Sequence, residues 1–172
     1  DTSDAIHVNI TGPITGFNLS NPSGIIAGQP FALNVLNAVD GNGNPASGII
    51  RITASTGGGE APDGTDPVIE DIVVTSGSGS EDQTLYKAEP TVVLTGKLST
   101  NEAVSDDTNP FTVTHAGINS LAMSGVPATV AAGAYFLNPI TVTALDAYEN
   151  IVTNYTGSVY FTTTSSSYDL PY

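Results

Sequence analysis

Asp40-Gly-Asn-Gly-Asn44 sets three side-chain oxygens at alternate positions, the spacing with which calcium loops present their ligands. Asp40, Asn42 and Asn44 are therefore the candidate metal ligands. The loop lacks a downstream bidentate Glu, and an Asx-turn with glycine at positive φ accounts for the same residues without a metal. Asp146 with Glu149 and Asn150 forms a weaker version of the pattern, and the acidic stretches 60–66 and 106–107 offer further oxygens between elements. His7 and His115 are the only histidines, and Cys is absent, so no zinc or iron–sulfur set can be assembled from Cys and His. There is no Gly-x-Ser-x-Gly elbow, no His-Glu-x-x-His and no phosphate-cradling glycine loop leading into a helix. Catalytic residues and organic cofactors are accordingly assigned to none, and calcium is the one cofactor left open.

Those residues sit in a chain of 172 residues with 17 acidic and 3 basic side chains, a formal net charge of −14. Arg51, Lys87 and Lys97 cannot make the basic stripe that nucleic acid demands. No apolar run approaches the ~18 residues of a membrane-spanning helix. Charged residues make up 12% of the chain, about half the usual share, and hydrophobic residues 40%, enough for packed cores. The acidic, lysine-poor, Thr/Ser/Asn/Gly-rich composition points to an exported protein. Three Asn-X-Ser/Thr triplets make Asn9, Asn18 and Asn154 glycosylation candidates.

The elements that must position these residues are strands. No stretch of a dozen residues carries apolar positions at helical spacing without Gly, Pro or β-branched interruption. Period-2 alternation recurs at residues 6–11, 31–36, 50–53, 86–98, 111–114, 140–144 and 158–162. Turn residues divide the runs at 21–24, 41–45, 57–67, 76–79 and 106–110. Short alternating strands with frequent turns predict an antiparallel all-β sandwich.

The sequence also repeats. Ala27-Gly-Gln-Pro-Phe, leading to Ala38-Val-Asp40 and Gly-Asn-Gly-Asn44, aligns with Ala132-Gly-Ala-Tyr-Phe, leading to Ala144-Leu-Asp146 and Ala-Tyr-Glu-Asn150. Gly48-Ile-Ile-Arg-Ile-Thr then aligns with Gly157-Ser-Val-Tyr-Phe-Thr. The offset is about 105 residues, the size of one immunoglobulin-like domain. The pattern resembles the bacterial immunoglobulin-like repeats of prokaryotic cell-surface proteins, among them invasin- and intimin-type adhesins and surface-layer proteins, over residues 17–115 and 118–172. The resemblance implies tandem immunoglobulin-like Greek-key β-sandwiches and a cell-surface or extracellular location. It implies no particular ligand.

The expected organisation is an N-terminal strand or linker at 1–12, a complete sandwich at 13–116 and a partial one at 117–172. The second repeat ends after its third or fourth strand, without counterparts of residues 69–74, 86–98 and 111–114, while residues 6–11 resemble a closing strand with no domain before it. Two explanations compete: a window cut from a longer tandem array, and subunits that polymerise head to tail by strand addition. In the second, Ile6, Val8 and Ile10 are the donor side chains, and Ile140, Val142, Val159 and Phe161 mark the acceptor region. One donated strand does not replace three missing ones, which weighs against that version. The functional expectation is a non-catalytic structural protein whose partners are copies of itself or neighbouring repeats. The alternative is a binding or spacer module, for carbohydrate or a host surface, within a long adhesin or secreted enzyme.

Overall fold

The computed structural model describes residues 11–131, 133–136 and 138–162. All the regular elements in that range are strands. Eleven run in order: β1 Gly16–Leu19, β2 Ile25–Ile26, β3 Phe31–Val39, β4 Gly48–Thr56, β5 Ile72–Val74, β6 Gly79–Gln83, β7 Glu89–Leu98, β8 Asn101–Asp107, β9 Phe111–Thr114, β10 Ser120–Ser124 and β11 Thr141–Leu145. Among the described residues no helix is long and apolar enough to cross a membrane.

The first nine strands form two sheets over one core. One sheet has the order β1-β3-β6, and the other β2-β9-β7-β4-β5 with β8 on the flank of β7. Alternation decides which side chains enter. Leu33 and Val35 of β3, Ile50 and Ile52 of β4, and Val92, Leu94 and Leu98 of β7 are buried at every second position, while Arg51 between the isoleucines faces out. Phe31 and Phe111 meet edge to face at 6.0 Å across the two sheets. Gly96 is closely packed: a Cβ there would stand 2.9 Å from Ile50 Cγ2 on the neighbouring β4 and 3.3 Å from Leu19 of the facing sheet.

Two strands of this unit follow no hydrophobic pattern. β6 reads Gly-Ser-Glu-Asp-Gln and is anchored by its last residue, the fully buried Gln83. The Gln83 amide donates to Glu70 O at 3.1 Å and accepts from Glu70 N at 2.8 Å, satisfying a polar group that would otherwise be costly to bury. β8 extends a hairpin from β7 and takes in Asp106 and Asp107, the start of the turn expected at 106–110; Asp106 accepts from Leu19 N at 2.7 Å.

The second unit is a two-stranded sheet. β10 and β11 pair antiparallel from Ser120↔Leu145 to Ser124↔Thr141. The alternation at 158–162 predicts a strand, but the described residues of that segment are irregular. Its counterpart, β4, lies between β5 and β7; among the described residues, 157–162 have no such neighbours to complete a backbone ladder, and isolated strands are not stable in water. β11 is shorter than β3 for the same reason. Residues 31–35 of β3 are paired along their whole length with β6, whereas β11 starts only at Thr141.

Candidate functional site

The best-defined polar construction is a turn that occurs twice. Asp40 sits at the end of β3 with 2% exposure, and its carboxylate gathers backbone donors. Oδ1 accepts from Asn42 N and Asn44 N, both at 2.9 Å, and Oδ2 accepts from Gly12 N at 3.0 Å. The Asn44 side-chain amide donates to Oδ2 at 3.2 Å and more weakly to Oδ1. Asp40 N donates to Asn44 O to close the loop. The sequence folds this way because an Asp side chain mimics the backbone turn, and Gly43 supplies a φ of 81°. Asp146, 1% exposed at the end of β11, repeats the set. Oδ1 accepts from Tyr148 N and Asn150 N, both at 2.9 Å, Oδ2 accepts from Ala116 N at 2.9 Å, and Asn150 Nδ2 donates to both oxygens. Glu149 takes the position of Gly43 with a φ of 62°.

The hydrogen bonds set the acidity of both aspartates. Gly12 N and then Asn44 N, stabilising the charged form, bring the Asp40 carboxyl down from 3.8 to about 2. At Asp146 burial works against ionisation, and the bonds from the Asn150 side chain and from Ala116, Tyr148 and Asn150 N–H outweigh it, lowering the pKa. Asp40, Asn42 and Asn44 are thus brought together by the loop, but through N–H groups pointed at a carboxylate. Asn44 offers its amide nitrogen to Asp40, and Asn42 contributes its backbone while its side chain is exposed.

The second turn does something the first does not: it grips the neighbouring unit. Asn150 Oδ1 accepts from Ala88 N at 2.8 Å, and its Nδ2 donates to Tyr86 O at 2.7 Å. The Tyr148 ring stands edge to face with Tyr86 at 4.9 Å and covers Gly28 so closely that a Cβ there would overlap the phenol. Tyr148 O accepts from Asp63 N at 3.3 Å. Gly28, with a φ of 77°, belongs to a turn in which Gln29 N donates to Ile26 O. The joint therefore pairs a glycine turn of the first unit with an Asp-x-x-x-Asn turn of the second. Tyr148, Asn150, Tyr86 and Ala88 carry it. Oxygen spacing makes Asn150 only a weak metal ligand; its role at the joint leaves no mark in the repeat, because Asn44 occupies the same position without those bonds.

The far side of the second unit is open. Leu121, Met123, Val126, Val130 and Phe136 are each 44–57% exposed, and Tyr135 is 92% exposed. A shallow cleft of about 380 Å³ lies between Pro127, Val130, Tyr135 and Phe136. Of the acceptor residues, Val142 pairs with Met123 in the two-stranded sheet and is half-buried, as is Ile140 just before it. Val159 is 37% and Phe161 50% exposed, in the irregular segment. The structure thus places Val142 on β11 with Ile140 just ahead of it, and brings neither Val159 nor Phe161 into a ladder with them. The donor residues Ile6, Val8 and Ile10, and the glycosylation candidate Asn9, lie outside the described residues. Asn18 and Asn154 are exposed. His115 turns Nδ1 to Ala116 O at 2.8 Å beside the joint.

A scan against protein-family models, a search of curated proteins and a search of solved structures returned no match to this chain.

Proposed function

We propose that this chain is a non-catalytic structural protein of a prokaryotic cell surface, built of immunoglobulin-like Greek-key sandwiches in tandem with the second incomplete. Its work is to extend or polymerise head to tail by strand addition. The observation that carries the reading is the contrast between the units: a closed core of two sheets in the first, and in the second a two-stranded sheet whose apolar residues lie open. The exposure of Leu121, Met123, Val130, Tyr135 and Phe136 supports that reading, since exposed apolar patches mark interaction surfaces. The Greek-key reading is supported by the path of the chain, which passes from sheet to sheet between β1, β2, β3 and β4. Tandem repetition is supported by the recurring turn bonds. Ala46 N donates to Ala38 O as Val152 N does to Ala144 O, and Thr15 N to Val39 O as Asn119 N does to Leu145 O.

The donor is the segment carrying Ile6, Val8 and Ile10, and the acceptor is the free edge of β11 with Ile140 and Val142, extended by Val159 and Phe161. A strand laid there buries its alternate apolar residues against the open sheet and satisfies unpaired backbone groups, the logic of β-augmentation. A second reading, a passive spacer between other domains of a longer surface protein, is favoured by the hydrogen-bonded joint, which fixes one unit on the next.

Deletion of residues 1–10 tests the proposal. The full chain is expected to form filaments by electron microscopy and to sediment as a concentration-dependent series. The deleted chain is expected to lose assembly while keeping the thermal transition of the first unit. Monodisperse single particles from the full chain, or assembly unchanged by the deletion, would overturn strand addition.

A further inference from the structure

The outer face of the large sheet breaks a rule of strand pairing. The chain has three basic residues, and two of them, Arg51 of β4 and Lys97 of β7, stand directly opposite each other in the ladder. Like charges opposed across strands cost stability. Glu102 of β8 reaches both, Arg51 at 3.6 Å and Lys97 at 3.9 Å, but one carboxylate serves two cations and its side chain is 62% exposed. Exposed ion pairs contribute little. Beside the cations lie Ile49 and Val73, opposed in the β4–β5 ladder and 45% and 63% exposed. This face is therefore cationic and apolar at once, on a chain of net charge −14.

A strand edge of the same unit carries the opposite charge. Outside β6, the last strand of the small sheet, Val68 and Thr84 exchange backbone hydrogen bonds at 2.9 and 2.8 Å. Glu70 and Asp82 each lie two residues from that bridge, at the same end of it. Both carboxylates are exposed, and neither forms an ion pair among the described residues. Residues 52–86 contain no Lys or Arg to neutralise them. Val68 beside them is 43% exposed.

We propose that the Arg51–Lys97 face of one copy docks on the Glu70–Asp82 edge of a second copy. Each half holds like charges close together, and each relieves the other: the carboxylates meet the cations, while Ile49 and Val73 cover Val68. Outside this face the chain has Lys87 as its one base, so the cation pair also steers the approach of an acidic second copy. The contact uses the first unit alone and stands apart from strand addition at the second.

Lysine occurs only at 87 and 97, which makes the contact simple to map. In an equal mixture of isotope-labelled and unlabelled full chain, carbodiimide coupling is expected to join Lys97 of one isotope to Glu70 or Asp82 of the other. The Lys97–Glu102 amide within one chain is the internal standard, and coupling of Lys97 to Glu102 alone overturns the contact. Arg51→Gln should cut the mixed-isotope product roughly threefold without lowering the melting temperature, because it removes a like-charge opposition together with one weak ion pair. A lower melting temperature with undiminished coupling would make Arg51 a structural partner of Glu102 only, and overturns the proposal. Charge exchange completes the test. Arg51→Glu/Lys97→Glu and Glu70→Lys/Asp82→Lys should each weaken association by sedimentation roughly tenfold, and an equal mixture of the two should restore it. No recovery in the mixture overturns the pairing of these two surfaces. Deletion of residues 1–10 is expected to leave the mixed-isotope product in place, so failure of strand addition and failure of this contact read separately.

Discussion

Asn150→Ala is the sharpest probe of how the units are coupled. The substitution removes two kinds of bond. Those to Asp146, at 3.2 and 3.0 Å, stay inside the turn, and those to Tyr86 O and Ala88 N, at 2.7 and 2.8 Å, cross the joint. Asn44→Ala removes only the first kind, from Asp40. It therefore calibrates the cost of loosening a turn of this design. Each crossing bond contributes about 1 kcal/mol net, so the joint should lose about 2 kcal/mol more in Asn150→Ala than the turn loses in Asn44→Ala. Hydrogen exchange by NMR at the Ala88 amide reads this locally. Opening of the joint exposes that N–H, so its protection should fall roughly 30-fold in Asn150→Ala. Amides of β4 and β7 should keep theirs, because they report the core of the first unit and not the joint. Equal losses at Ala88 in the two variants, or unchanged protection in Asn150→Ala, would refute the assignment of Asn150 as the coupling residue.

Two further outcomes follow from the same geometry. Gly28→Ala places a methyl against the Tyr148 phenol at a φ of 77°, so it should weaken the joint; Tyr148→Ala should relieve the clash, and strictly additive losses in urea unfolding of the double variant would refute the close packing. Asp40 titrates near about 2 in the folded chain against 3.8 as a free side chain, so its ionised form contributes stability that is whole above roughly pH 4 and is lost as pH falls towards 2. Asp40→Asn should flatten the fall in melting temperature over that interval, and parallel curves for the two chains would show that the Gly12 and Asn44 bonds do not hold the charge.

Much of the first unit was legible because its strands are half-buried and alternate. The periodic runs at 31–36, 50–53 and 111–114 all lie within strands whose alternate residues enter the core. β6 and β8 were not legible, since one is set by a single buried glutamine and the other by pairing to the β7 edge; neither signal exists in a hydrophobic pattern. The run at 158–162 misled for the complementary reason. Alternation records what a strand would do if it had neighbours, and the described structure gives it none. The site was half legible. The repeat identified Asp40 and Asp146 as equivalent, but oxygen spacing alone reads the same for a cation loop and for a carboxylate collecting N–H groups. Only the donors distinguish them, and Gly12 and Ala116 lie 28 and 30 residues away in sequence.

The distribution of burial in the second unit says what orders it. A two-stranded sheet is at best marginal by itself, and β10 is exposed along its whole length. Burial instead rises towards the first unit: Asp146, Asn150 and Val152 are 1%, 3% and 7% exposed, while Leu121, Met123 and Tyr135 stand in the open. The ordering force is therefore the joint, through Ala116, Tyr148 and Asn150, and the hairpin of β10 and β11 extends from it as a cantilever. A cantilever of this kind holds its open edge and apolar face in a fixed direction relative to the closed sandwich before any partner arrives. A strand added as proposed above would therefore lose less entropy than one joining a freely moving hairpin. The cantilever also gives the first and second units unlike places despite their matching turns: one supplies the rigid end against which the joint closes, and the other carries the exposed apolar residues.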